Sequence, residues 1–415
     1  MSARLKIAFV STLYAPNEKG GAERTVQVLA EALVARGHEA VVISLAPDGV
    51  ARQGELNGVR VYYVPLANLY WKQSETEHSA IVRMVWHAVD AYNPVMGARV
   101  RAILRTERPD IVQTGNLQGF SVSVWRAAAG LGIPLVQMLH DYYLACPKST
   151  MFKAGENCAR PCPGCRVLTL PRRAYSNLPA AVISLSRRLL ERVESGGLFE
   201  AVAHKLIIHG ADNHRPQVRP RTNKPPGSAI VAGYLGRMEC TKGIEVLLEA
   251  TRRLHPQQIS VVLSGTGPQK YVQALQRRYA SSNVHFLGFT KPAELFERID
   301  VLVVPSVWEE PLGRVIYEGY AHGIPAVVAN VGGMPEIVDA GRTGFVVERG
   351  DADALARCLQ REIDAGWQGA RYFQACIERS CDFDIDRAYA KYLNAWQTAI
   401  VARTRPDVAA AVESA

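Results

Sequence analysis

Val301-Leu-Val-Val-Pro-Ser-Val-Trp-Glu-Glu-Pro-Leu-Gly-Arg-Val-Ile-Tyr-Glu318 begins as an apolar run and turns abruptly acidic. Four apolar residues bounded by Pro305 read as a strand buried on both faces. The glycine at 313 then opens a helix, so the acids Glu309, Glu310 and Glu318 follow the carboxyl end of a strand. That grammar of buried strand, loop and helix recurs along the chain and decides the fold. Lys6–Thr12, Ala40–Ser44, Asp110–Thr114, Pro134–Leu139, Ala181–Ser184 and Lys205–Ile208 are strands of one series. A second series comprises Ala229–Leu235, Ile259–Ser264, Val284–Leu287, Val301–Val304 and Ala326–Ala329. Helical spacing of Val26, Leu29, Ala30, Leu33 and Val34, and of Ile244, Leu247, Leu248 and Thr251, fills the gaps. Such alternation means parallel sheets covered on both faces.

The two series are separated by Arg215–Ser228, with four prolines in fourteen residues and no apolar period, a linker composition. At 415 residues the chain exceeds the size at which a single core stops growing. The expected organisation is an N-terminal Rossmann-like domain over 1–210, a linker at 211–228 and a second such domain over 229–385. A helix at 386–402 carries Tyr389, Leu393 and Trp396 at helical spacing, and a tail at 403–415 has no evident partner. The fold class is α/β: two doubly wound domains facing across a cleft, with ligands outside the carboxyl ends of the strands.

Composition narrows the function. With 48% hydrophobic and 21% charged residues the chain is ordinary for a globular protein, and no apolar run is long enough to span a bilayer. The opening segment leads straight into a strand and has too short an apolar run for a signal peptide, so a cytoplasmic chain with reduced thiols is expected. The net charge of +9 is unevenly spread, with 24 Lys/Arg against 16 Asp/Glu in residues 1–210. A basic first half suits an anionic neighbour such as a phospholipid surface, a lipid-linked phosphate or a nucleic acid, or serves solubility alone. Arg166–Arg192, where arginines lie beside leucines, is a candidate membrane-docking stretch, the alternative being an ordinary amphipathic helix after Ser186. No helix-turn-helix or other nucleic-acid module accompanies the charge, which ranks that class last.

Several loops at strand ends carry chemistry. Gly20 and Gly21 open the first helix and leave its N–H groups available to an anion, or merely make a tight turn. Arg237 and Lys242 flank the first helix of the second domain, where two cations suit a diphosphate. Gly265, Gly267 and Gly288 lie in strand-to-helix turns that let backbone approach a flat ligand, or serve as plain connections. Glu310 and Glu318 can accept hydrogen bonds from vicinal hydroxyls.

Taken in order, Gly236-Arg237, Lys242-Gly243, Ser264-Gly-Thr-Gly-Pro268, Val304–Gly319, Gly323-Ile-Pro-Ala-Val327 and Gly332-Gly-Met-Pro-Glu-Ile-Val338 resemble glycosyltransferase family 4 over nearly the whole chain. The resemblance implies the GT-B architecture, the C-terminal helix crossing back onto the first domain, and transfer from a nucleoside-diphosphate sugar with retention of configuration and no catalytic metal. It implies that Glu310 contacts the transferred sugar and Glu318 the ribose. Arg237 and Lys242 would stabilise the leaving diphosphate, and backbone around Leu312 and Gly313 would help hold the donor. Glu309 would be a surface neighbour and His140 a catalytic contact to the sugar. The acceptor would be a glycan or lipid-linked chain of a surface polysaccharide or lipopolysaccharide, met at the inner face of the plasma membrane. The stretch Gly115–Phe120, which ends another strand, is a candidate source of acceptor contacts. A nucleotide-sugar epimerase or hydrolase, or a non-catalytic nucleotide-sugar-binding protein, would use the same donor site.

One cluster stands apart. Cys146, Cys158, Cys162 and Cys165, spaced C-x11-C-x3-C-x2-C within an insertion at 146–165, could hold a structural zinc, remain thiols or form a disulfide.

Overall fold

The structure, a computed structural model, describes residues 4–17, 20–72, 78–213 and 216–403. It divides into two compact units, one comprising Met1–Met151, Cys158–Asp212 and Ile385–Ala415, the other Phe152–Asn157 and Asn213–Asp384. The tail beyond 403 lies outside the described residues.

In the first unit the elements run β1 (Lys6–Ser11), α1 (Gly21–Ala35), β2 (Glu39–Ala46), β3 (Arg52–Leu56), β4 (Val59–Pro65), α2 (Ala80–Ala91), α3 (Pro94–Glu107), β5 (Ile111–Thr114), α4 (Ser123–Ala129) and β6 (Leu135–Leu139). A two-residue hairpin, β7 (Phe152–Lys153) and β8 (Glu156–Asn157), belongs to the second unit. The chain then returns through α5 (Pro163–Leu168), α6 (Leu170–Ala174), β9 (Ala181–Ser184), α7 (Arg187–Glu194) and β10 (His204–Ile207). The eight-stranded sheet has the order β10-β9-β6-β5-β1-β2-β4-β3. All its neighbours are parallel except β3, which pairs antiparallel with β4. That hairpin is absent from the alternating reading above, although Asn57 and Gly58, both at positive φ, form the two-residue turn that Asn-Gly favours.

The second unit continues with β11 (Ile230–Leu235), α8 (Ile244–Thr251), β12 (Ile259–Ser264), α9 (Gln269–Arg278), β13 (Val284–Gly288), α10 (Pro292–Phe296), β14 (Val301–Val304), α11 (Arg314–Ala321), β15 (Ala326–Ala329), β16 (Gly344–Val347), α12 (Ala352–Ala365) and α13 (Gly369–Ser380). Its six strands are all parallel, in the order β13-β12-β11-β14-β15-β16. The strand order reverses at β1/β5 in one sheet and at β11/β14 in the other, the points where doubly wound sheets leave a crevice for ligands.

The last helix, α14 (Ile385–Arg403), belongs to the first unit. Tyr392, Ala395, Trp396 and Ala399 are fully buried in the same core as Phe9, Leu29 and Val136. The Trp396 indole donates to Gln113 Oε1 at 2.7 Å, so the ring's polar atom is satisfied where its body is dry.

Candidate functional site

Two loops of the second unit leave adjacent strand ends at its reversal point, one after β11 and one after β14. They are stitched together through a single carbonyl. Thr241 O accepts from Val307 N at 3.0 Å, Trp308 N at 3.2 Å and the Ser306 hydroxyl at 3.1 Å. This places Lys242 against Glu310, whose carboxylate Oε1 takes a hydrogen bond from the ammonium. The same ammonium lies 5.1 Å from the centroid of the Trp308 ring. Both charged side chains are largely buried, so the pair is screened less than a surface pair.

Glu310 is also fixed through its backbone. Its carbonyl accepts from Gly333 N at 2.8 Å. Gly332, at φ +63°, approaches so closely that a Cβ there would lie 2.2 Å from Glu310 O. Only glycine fits such an approach.

Gly313 sits at the start of α11 with φ +89°, and Leu312 before it is buried. One turn into α11, Glu318 accepts from Arg314 Nε at 2.6 Å. Arg237 is mostly exposed and lies 3.2 Å from Glu239. The glycine loops close the other side of the site: a Cβ on Gly265 would lie 1.8 Å from Gly236 O, so the turn after β12 is laid directly on the one after β11. Gly288, at the end of β13, accepts from Gly265 N at 2.8 Å and faces open space. Arg237, Lys242, Gly265, Gly267, Gly288, Glu310, Leu312, Gly313 and Glu318 thus all occur within the second unit at or beside carboxyl ends of its strands.

In the first unit His140 follows β6 and is 9% exposed, with neither ring nitrogen hydrogen-bonded among the described residues. Burial alone holds its imidazole down at about 4, which keeps the ring neutral at ordinary pH. Gly115 gives it room, since a Cβ there would come within 3.2 Å of the ring. Next to it, burial pushes the Asp141 carboxyl up to about 6, while Tyr143 N and Asn116 Nδ2 donate to it at 2.7 and 3.2 Å. Gly20 caps α1 in an extended conformation and Gly21 starts it; Glu18 and Lys19 lie outside the described residues.

Comparison with known proteins decides the family. Residues 20–204 match the model described as "Glycosyl transferase 4-like domain" and residues 229–364 the model "Glycosyl transferases group 1". The chain is a family 4-type glycosyltransferase. Similar chains include an uncharacterized 42.6 kDa protein in the cps region of Klebsiella pneumoniae, 27% identical over 80% of this chain and 87% of that one. Spore coat protein SA of Bacillus subtilis is 26% identical over 83% and 85%. Among solved structures, sucrose-phosphate synthase from Thermosynechococcus elongatus superposes with a TM-score of 0.74 at 20% identity, over 96% of this chain and 100% of that one. Anabaena Alr3699/HepE, solved with UDP and glucose, gives 0.69 at 20% identity over 95% and 100%. The fold is the GT-B fold of this glycosyltransferase group, with two Rossmann-like domains.

Two expectations for the glycosyltransferase, on Glu309 and Arg172, are corrected by the structure. Glu309 is not a surface neighbour: it is 5% exposed, and its N–H donates to Asn157 Oδ1 at 2.9 Å. Arg172, read as part of a basic surface stretch, is fully buried, and its guanidinium pairs with Asp90 at 3.0 Å and stacks 3.7 Å over Tyr143. The helix after Ser186, α7, is an ordinary capped helix that buries Leu189 and Val193. Three of the four clustered cysteines come together. Cys165 Sγ lies 3.2 Å from Cys162 Sγ and 4.0 Å from Cys146 Sγ, but among the described residues no group of three or more His, Cys, Asp or Glu side chains is arranged to hold a metal. Counting cysteines could not show that Phe152–Asn157, between the first two, departs to the other unit. No disulfide joins the described thiols, and burial pushes the Cys165 thiol up.

That excursion supplies a residue the sequence reading missed. Asn157 donates to Val307 O at 2.9 Å while accepting from Glu309 N, gripping the strand end just before Glu310. Arg349 reinforces the grip, donating to Val307 O at 3.2 Å and pairing with Glu156 at 2.7 Å.

Proposed function

We propose that this glycosyltransferase moves a sugar from a nucleoside-diphosphate sugar to a glycan or lipid-linked acceptor, with retention of anomeric configuration, in building a bacterial surface polysaccharide or lipopolysaccharide. The observation that carries the donor reading is the Lys242–Glu310 pair, held where the loops after β11 and β14 are sewn together at Thr241. A preorganised ammonium beside a carboxylate suits a ligand with a diphosphate at one end and vicinal hydroxyls at the other. Lys242 takes the phosphate oxygens, Glu310 the sugar hydroxyls and Glu318 the ribose. Arg237, extended into solvent, adds a second cation to the diphosphate.

Negative charge develops on the leaving diphosphate as the glycosidic bond breaks. Two side-chain cations stabilise it where it forms, and transfer by this route needs no divalent ion. The acceptor oxygen then bonds to the anomeric carbon on the face from which the diphosphate departs, giving its proton to the leaving phosphate oxygen, and attack on that same face gives retention. His140, whose ring nitrogens have no hydrogen-bond partner among the described residues, is assigned to the transferred sugar. The setting in surface polysaccharide rests on the cps-region relative and on the fold shared with the lipopolysaccharide outer core galactosyltransferase WaaB, TM-score 0.63 at 15% identity.

The test is thermal stabilisation by UDP-, GDP-, ADP- and TDP-sugars in the presence of EDTA. One nucleotide series should raise the melting temperature of the parent by mass action and fail to do so in Lys242→Ala and Glu318→Ala. Equal shifts in parent and both variants would remove these residues from the donor site.

A further inference from the structure

Eleven large hydrophobic side chains are exposed among the described residues, and five of them lie on three short helices of the first unit that pack on one another. On α2, Ile81 is 70% exposed, Met84 56% and Val85 41%, residues one helical turn apart that form a single outward stripe. On α5 and α6, Val167 is 65% exposed and Leu170 57%. The inner face of α2 is spent differently: Trp86 is buried and donates its indole N–H to Tyr70 O at 2.9 Å, and Asp90 is buried against Arg172. The outward stripe is therefore surplus to the core.

Charge on the same helices is one-sided. Arg83 on α2 and Arg166 on α5 are exposed, as is Lys148 just before the hairpin, whereas the only carboxylate on α2, α5 and α6 is the fully buried Asp90. His87 on α2 is held down to about 4 first by burial and then by Lys72, Arg172, Lys148 and Arg83. Apolar side chains with arginine and lysine beside them, and no exposed acid among the described residues of the three helices, match the interface of a bilayer carrying anionic headgroups: the aliphatic tips enter the acyl boundary while the cations meet phosphate.

We propose that the face formed by α2, α5 and α6 docks the protein on an anionic phospholipid surface. The α5–α6 segment lies within the arginine-rich stretch noted in the sequence, but three of the five apolar side chains of the face come from α2, some eighty residues earlier. The proposal does not depend on the donor site, because its test reads attachment and not transfer.

The experiment is co-sedimentation of the purified full chain with vesicles of phosphatidylcholine alone and of phosphatidylcholine with 30 mol% phosphatidylglycerol. The parent should partition onto the anionic vesicles and be released by salt. The double variant M84E/V167E should bind at least tenfold more weakly, and R83A/R166A should lose the preference for anionic lipid. Val50→Glu, at another exposed apolar position of the same unit, should bind like the parent; circular dichroism of each variant checks its fold. Failure of the parent to sediment with anionic vesicles would overturn the proposal, as would undiminished binding by M84E/V167E. A parent dimer that M84E/V167E splits would assign the face to a second copy of the chain and overturn it equally.

Discussion

At the scale of single residues, the site depends on groups whose usual solvation has been removed. His140 illustrates this: buried, neutral and without a hydrogen-bond partner among the described residues, it costs the fold stability that an apolar ring would not. His140→Phe is predicted to leave the melting temperature at pH 7 unchanged or higher while lowering transfer at least tenfold. The variant also tests the pH dependence. With its folded value near 4 against an ordinary 6.5, the imidazole is protonated first in the unfolded chain. Its contribution is complete above about pH 6.5 and is lost progressively down to about pH 4, ~3 kcal/mol in all. Asp141, raised to about 6, acts in the opposite sense, its contribution fading as pH rises through 6. Acid melts of parent and His140→Phe should therefore differ by the histidine contribution alone; identical acid arms would mean that His140 titrates normally. Lys242 and Glu310 were placeable from sequence, each in a glycine-marked loop after a strand end, and Glu318 in the helix that follows. No such placing was available for Glu309, whose burial depends on an amide 152 positions away, nor for Gly332, which is legible as a family motif but not as the backing of Glu310.

At the scale of elements, the buried parallel strands were readable because Val, Ile and Leu runs bounded by turn residues have few other uses. The hairpin β3–β4 carried its Asn57-Gly58 signal but lay outside the expected alternation. The hairpin β7–β8 had too little to read: two-residue strands leave no periodicity, and Ala154 and Gly155 at positive φ make the turn. Arg172 was misread for the same kind of reason, because its partner Asp90 lies 82 residues earlier. That pair joins α6 to α2. Asp90 also accepts from Gly119 N at 2.6 Å, and Tyr143 OH donates to its carbonyl at 3.1 Å. Burial raises the Asp90 carboxyl pKa and Arg172 opposes it. Arg172→Leu strands a buried carboxylate and should cost about 3–5 kcal/mol in urea unfolding, much of it recovered in the double variant Asp90→Leu/Arg172→Leu. A loss below about 1 kcal/mol in the single variant would show that water or another cation reaches Asp90.

At the scale of the whole molecule, the chain builds two Rossmann-like units, each with a point at which its own strand order reverses. The chain passes between the units at Met151, Asn157, Asp212 and Asp384, so the first unit is completed only by the last helix. The general plan was legible because two alternating series flank a proline-rich break; the excursion at Phe152–Asn157 was not, since nothing in six residues says which sheet they will join. Inside the second unit, the proposed roles differ: Lys242 holds phosphate and Glu310 holds sugar. Calorimetric titration of the preferred nucleoside diphosphate, with and without its sugar, into parent, Lys242→Ala and Glu310→Gln tests this directly. Lys242→Ala should weaken both ligands at least tenfold, about 1.4 kcal/mol, whereas Glu310→Gln should weaken the sugar nucleotide and spare the bare diphosphate. Equal weakening of both ligands by Glu310→Gln, or none by Lys242→Ala, would contradict it.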